Sequence, residues 1–204
     1  MRENLYLYIV SHFKPGETFF YEDIKVTSSR DSLRHQIARL VKEEKLSRYG
    51  NGMYYIPKKS LLGLPSAIST DGVAVSKYIM HGNKIFGYYS GHTFANQLGV
   101  SLQVPVVKEI VTNESSAIVR TVQLNKRDFK IRKPKVPVDN SNHKVLQLLS
   151  FLENYEKYVD HEVIDADRKV KLYAKDNNIT RNDLYMYAGY FNSRALKTIT
   201  MLGL

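Results

Sequence analysis

Residues 31–58 read DSLRHQIARLVKEEKLSRYGNGMYYIPK. The first half has helical spacing: Leu33, Ile37, Leu40 and Val41 form one apolar stripe. His35, Arg39 and Lys42 fall on the opposite side, with Arg34 on a flank near the start. Ser28 and Asp31 have the spacing of a capping box, so the helix is expected to open at Ser28 or Ser29. After Leu46, two short runs of Tyr and aliphatic residues flank Gly50-Asn51-Gly52, which tolerate positive φ and predict a tight hairpin. A basic helix is thus followed at once by a small two-stranded ribbon.

Working outward, Leu5, Ile9 and Phe13 recur at helical intervals, and Lys14-Pro15-Gly16 breaks that pattern. Thr18-Phe19-Phe20 reads as a short strand, and a brief helix is expected over residues 21–25. Helix, strand, short helix, basic helix and hairpin in that order predict a winged helix-turn-helix over residues 1–60, with the hairpin as its wing. A helix fits the DNA major groove, where basic residues near its N-terminus reach base edges and phosphates. Arg48, Lys58 and Lys59 at the base of the wing would meet the neighbouring phosphate backbone. The same residues admit a second reading. The segment carries 11 basic and 7 acidic side chains, a net of only +4, and a winged helix with a solvated basic face also serves as a protein-interaction scaffold. Tyr49, Tyr54 and Tyr55 are expected to pack in the wing and core rather than stack on bases.

Residues 58–65 (KKSLLGLP) read as a linker into a second domain over residues 66–204. A weak helix over Ser69–Met80 and a strand over Lys84–Tyr89 are expected, then a short helix ending at Gly99. Strands are expected over Val106–Thr112, Ala117–Leu124 and Phe129–Arg132, the middle one with clear alternation. Charge density peaks in KRDFKIRKPK, residues 126–135, with six basic residues against one acidic. With Phe129 and Ile131 turned inward, Lys130 and Arg132 would lie exposed on one face. Lys126, Arg127, Lys130, Arg132, Lys133 and Lys135 then form either a docking surface for an acidic partner or DNA, or an edge strand kept from aggregating by its lysines. From Ser141 the pattern turns helical. Val145, Leu148, Leu149 and Leu152 make one stripe, a helix runs from about Asp165 to Lys175, and Asn177-Asn178 breaks it. Thr180 and Asp183 cap a last helical region that packs Leu184, Ala188, Leu196 and Ile199. The fold class is α+β: a winged helix-turn-helix, then a mixed α/β domain with a helical C-terminal part.

The chain of 204 residues holds 30 Lys+Arg against 20 Asp+Glu, a net charge of +10. That balance favours a polyanionic partner, nucleic acid first, then an acidic protein or an anionic membrane. No apolar run reaches membrane-spanning length, and the opening MRENLYLYIVSHF lacks the pattern of a signal peptide, so a cytoplasmic location is expected. The absence of Cys excludes disulfides and thiolate metal sites. His12, His35, His81, His92, His143 and His161 form no ligand pair at helical spacing. The acidic run DHEVIDAD, residues 160–167, suits a solvated helix start better than an acid–base or metal site. Ser90 and His92 have no acidic orienter nearby in sequence, and neither a P-loop nor GxGxxG occurs. No enzymatic activity, metal or cofactor is expected.

FKPGETFFYEDI, the helix and hairpin quoted above, and ANQLGVSLQVP followed by a basic strand together resemble the AbiEi-like antitoxins of bacterial abortive-infection, type IV toxin–antitoxin systems. The resemblance covers about the first two-thirds of the chain. It implies a winged helix that binds inverted repeats in the operator of its own operon and represses it. It also implies a C-terminal domain that counters a nucleotidyltransferase toxin, directly or functionally. By position it assigns double-stranded DNA contacts to Ser28, Ser29, Arg30, Arg34, His35 and Arg39 of the helix and to Arg48, Asn51 and Lys58 of the wing. Gly99 is expected to stop a helix and Pro105 to start a strand.

Overall fold

A computed structural model describes residues 5–26, 28–50, 52–59, 65–66 and 68–204. The chain divides into two compact units, residues 1–73 and 74–204.

The first unit opens with α1 (Leu5–His12), β1 (Thr18–Phe20) and a single 3-10 turn (Tyr21–Asp23). Next come α2 (Arg30–Lys42), β2 (Ser47–Gly50) and β3 (Met53–Tyr55). Ser29 caps α2 by accepting a hydrogen bond from the Ser32 amide, which settles the choice between Ser28 and Ser29 and leaves Asp31 outside a capping box. β3 lies between β1 and β2 and is antiparallel to both. Leu33, Ile37 and Leu40 of α2 are buried with Leu5, Ile9, Phe19, Leu46 and Tyr54 in one core, while Val41 packs at its margin. Tyr54 and Tyr55 are buried, as packing residues should be. The expected linker over 58–65 is corrected in part: β4 (Lys58–Lys59) pairs antiparallel with β5 (Pro65–Ser66). Residues 60–64 lie outside the described residues.

The second unit is reached through α3 (Thr70–Tyr78). β6 (Met80–His81) and β7 (Lys84–Ile85) pair with each other in a small hairpin, and β8 (Gly87–Ser90) starts a separate sheet. The single strand expected over residues 84–89 is therefore two, divided at Phe86, whose backbone N–H donates to Ile79 O instead. After α4 (Gly91–Gln97) come β9 (Lys108–Thr112), β10 (Val119–Leu124) and β11 (Arg127–Arg132). The sheet order is β10-β11-β9-β8, with β9 and β11 parallel and the outer pairs antiparallel. α5 (His143–Leu152), α6 (Tyr155–Tyr158), α7 (Ala166–Asp176), α8 (Arg181–Ala188) and α9 (Ser193–Leu202) complete the chain. The architecture is α+β, and among the described residues no helix is long and apolar enough to cross a membrane.

Gly99, at φ +73°, follows the end of α4 as expected. Pro105 starts no strand: β9 begins at Lys108, and Leu102, Val104 and Val106 are exposed along an irregular stretch. The alternation seen in residues 117–124 buries only Leu124 within β10, because α4 and α5 pack on β8 and β9, at the opposite end of the sheet. Val145, Leu148, Leu149 and Leu152 are buried with Leu184, Ala188 and Ile199. Leu196 is exposed, and Ala195 and Leu202 take the inward positions of α9. Thr180 and Asp183 form the expected reciprocal capping box.

Gly87 sits where β8 passes close to other backbone. A Cβ there would collide with Tyr78 O and lie 2.7 Å from Val111 O. Gly50 has open space around it. Gly87→Ala is therefore expected to lose about 2–3 kcal/mol or more of stability, as overpacking with backbone on both sides does. Gly50→Ala should stay within about 0.5 kcal/mol of the parent, as open surface positions do. Urea denaturation of the two variants checks both values.

Candidate nucleic-acid interface

The expected DNA-contacting residues divide between α2 and the β2–β3 hairpin. Ser28, Ser29, Arg30, Arg34, His35 and Arg39 are all exposed, on the surface that the Leu33–Ile37–Leu40 stripe turns away from the core. Two of the guanidinium groups have partners on their own helix. Arg34 lies 3.6 Å from Asp31, and Arg39 lies 3.6 Å from Glu43, which Lys45 also meets at 2.8 Å. Such exposed pairs are worth only about 0.2–1 kcal/mol each, so an incoming phosphate can replace them. Glu43 is held below the usual carboxylate range, first by its hydrogen bond from Lys45.

The hairpin carries a register shift between Arg48 and Gly50. Through it the Arg48 Nε–H donates to Gly50 O at 3.2 Å, which aligns the side chain along its own turn and leaves the two terminal NH2 groups for other acceptors. Asn51 lies outside the described residues. Lys58 stands beyond the end of β3, in β4, with its aliphatic stem over Gly16, where a Cβ would lie 3.2 Å from Lys58 Cδ. It therefore belongs to the foot of the hairpin, next to the Lys14–Gly16 turn.

Sequence reasoning missed Tyr21. Its hydroxyl pairs with that of Tyr54 at 2.9 Å, and the two rings meet edge-on at 5.3 Å. Burial, reinforced by the Tyr54 hydroxyl, pushes its pKa up to about 12, while the guanidinium groups of Arg34 and Arg48 act in the opposite direction. One phenol thus lies within electrostatic reach of both α2 and the hairpin. At neutral pH it keeps its proton and can donate a hydrogen bond. Nothing in the spacing of Tyr21 marks it; the link exists only once β3 brings Tyr54 beside the 3-10 turn.

The basic strand of the second unit is placed differently. β11 lies inside the sheet between β10 and β9, so of the two readings the edge strand guarded by lysines is ruled out. Phe129 and Ile131 are buried as expected, but Lys130 and Arg132 are only half-exposed. Both face Glu109 on the parallel neighbour, at 3.7 and 3.2 Å. Lys135 reaches Glu153 at 2.5 Å and lies over the Phe191 ring at 4.8 Å. Lys126 takes a positive φ in the β10–β11 turn, and Lys126, Arg127 and Lys133 are exposed. Of the six basic side chains proposed as one docking surface, at least three, Lys130, Arg132 and Lys135, are therefore held by carboxylates of the same unit.

The remaining candidates have structural partners. Ser90 Oγ lies 3.0 Å from Ser150 Oγ, and the His92 ring meets the Tyr158 ring edge-on; among the described residues no hydrogen bond joins Ser90 to His92. Asp160 accepts from the Leu102 amide and the Ser101 hydroxyl, which hold its pKa below the usual range. Asp167 accepts from Tyr155, and Asp165 lies 3.5 Å from Arg168. Among the described residues no three His, Asp or Glu side chains come together as a metal site. Glu109→Gln should cost about 1–3 kcal/mol by leaving Lys130 and Arg132 half-buried without a carboxylate. Lys133→Gln, at an exposed position, should change stability by less than about 0.5 kcal/mol. Thermal melting of both variants reads the difference.

No curated protein matches this chain. A family profile does, over residues 7–177, which takes in most of both units. The chain belongs to DUF6088, a family of unknown function.

Proposed function

We propose that residues 5–59 form a winged helix that binds double-stranded DNA, and that the chain is a transcriptional regulator. The observation that carries this reading is the exposed basic row of α2, Arg30, Arg34, His35 and Arg39, together with the exposed Arg48 of the hairpin; Arg34 and Arg48 both lie within electrostatic reach of the Tyr21 phenol. The element order and the pairing of β1 and β2 on either side of β3 support it. In this arrangement α2 enters the major groove with its N-terminal turn foremost, and the hairpin follows the adjacent phosphates. The contacts at Arg34 and Arg39 displace weak surface pairs, so little is lost in forming them, and Arg48 can keep its bond to Gly50 O.

The reading extends to an antitoxin that represses its own operon and counters a nucleotidyltransferase toxin. That extension rests on the resemblance of FKPGETFFYEDI, the α2–hairpin segment and ANQLGVSLQVP to AbiEi-like antitoxins. The competing reading is a protein-interaction module that docks an acidic partner on residues 126–135. It has less support, since Lys130, Arg132 and Lys135 already have carboxylate partners.

A gel-shift titration against the DNA upstream of the chain's own gene, with scrambled competitor at two salt concentrations, tests this. Specific retardation that weakens steeply with salt is expected. Arg34→Ala and Arg48→Ala should each lose about 1–3 kcal/mol of binding, with melting unchanged. Lys130→Gln should bind DNA as the parent does. Retardation that scrambled DNA removes fully, or unchanged affinity in both arginine variants, overturns the proposal.

A further inference from the structure

A half-open cavity of about 470 Å³ lies within the second unit. Its lining includes Ile79, Met80 and Ile85, Phe94 of α4 with Leu98 just after it, and Tyr88 and Tyr173. Its interior polar groups are already satisfied. The Gln147 side chain donates to Tyr89 O at 2.8 Å and accepts from the Tyr173 hydroxyl at 2.7 Å, which fixes two parts of the wall to each other. The interior therefore asks for an apolar body and offers no unmet hydrogen bond that would select a polar one.

The charge at the lining is one-sided. Lys144 and His143, on the first turn of α5, both line the cavity, and no Asp or Glu does. Lys144 Nζ lies over the face of the Tyr173 ring at 5.7 Å, and among the described residues no carboxylate pairs with it. His143 Nδ1–H donates to Asn140 O at 3.1 Å, and burial and then Lys144 lower its pKa, which disfavours its charged form. A half-buried ammonium held at the lip of an aromatic cavity, without a counter-ion, is arranged for an anion that arrives with an apolar body.

We propose that this cavity binds a small amphipathic organic acid, its apolar or aromatic body between Ile79, Phe94 and Tyr173 and its acid group on Lys144. The site is separate from α2 and the hairpin, and it stands whether or not those bind DNA.

The test is fluorescence titration of the full chain with two probes, the aromatic sulfonate 1-anilinonaphthalene-8-sulfonate and the uncharged dye Nile red. The parent should bind the sulfonate saturably at one site, and 4-phenylbutyrate should displace it. Lys144→Glu should weaken the sulfonate roughly tenfold or more while leaving Nile red unchanged. Ile79→Trp, which fills the cavity, should abolish both. Lys144→Gln, which adds no charge, gives the same ordering with a smaller loss and serves if the Glu variant melts early. The proposal is overturned if the folded chain shows no saturable sulfonate binding. It is overturned equally if both Lys144 variants keep the parent's affinity for the sulfonate.

Discussion

Glu109 stands on β9 with Lys130 at 3.7 Å and Arg132 at 3.2 Å across the parallel junction with β11, and the distribution of usable charge in this chain depends on that contact. The carboxylate is mostly buried, whereas its two partners are more open, so the contact joins an interior anion to cations at a surface. The surrounding backbone makes room for it. Gly91 takes φ +58° at the start of α4, and a Cβ there would lie 2.6 Å from Glu109 Oε1. The Glu109 amide is in turn fixed by Thr93 Oγ1 at 2.9 Å. The junction of β8 and α4 thus positions the acid that neutralises the most basic strand.

The basic residues accordingly divide into those that hold the fold and those that remain available. In the second unit Lys130, Arg132 and Lys135 answer Glu109 and Glu153. In the first, Arg34 and Arg39 pair with the exposed carboxylates of Asp31 and Glu43, and Arg48 bonds its own turn. Local sequence density favours residues 126–135 as the charged surface; the three-dimensional partners favour α2 and the hairpin. The proposed DNA interface rests on that difference in partners rather than on the net charge of +10.

Much of the helical structure was legible because its signals are local. The stripe Leu33–Ile37–Leu40, the stripe Val145–Leu148–Leu149–Leu152 and the Thr180–Asp183 cap are each complete within a few turns, and each is realised. The sheet of the second unit was less legible because strand partners are chosen at a distance. Alternation in residues 117–124 suggested a half-buried strand, yet the helices that would cover one of its faces pack on β8 and β9, at the opposite end of the sheet. Residues 126–135 could be read as an edge strand or as a docking surface, yet β11 lies inside the sheet, because β9 arrives parallel to it from some twenty residues upstream. The same applies to the sites. The exposed row on α2 could be read from spacing, whereas the Tyr21–Tyr54 pair and the Lys144–Tyr173 lip join residues that no periodicity relates.

The most direct measurement is the amide NMR spectrum of the full chain with and without duplex DNA from upstream of its gene, because it reports the backbone of both units at once, proline apart. The proposed interface predicts perturbations concentrated in residues 28–50 and 52–58, with residues 126–135 unmoved. Perturbations concentrated in residues 126–135, with α2 and the hairpin silent, would contradict it and give the basic strand the role proposed for the helix.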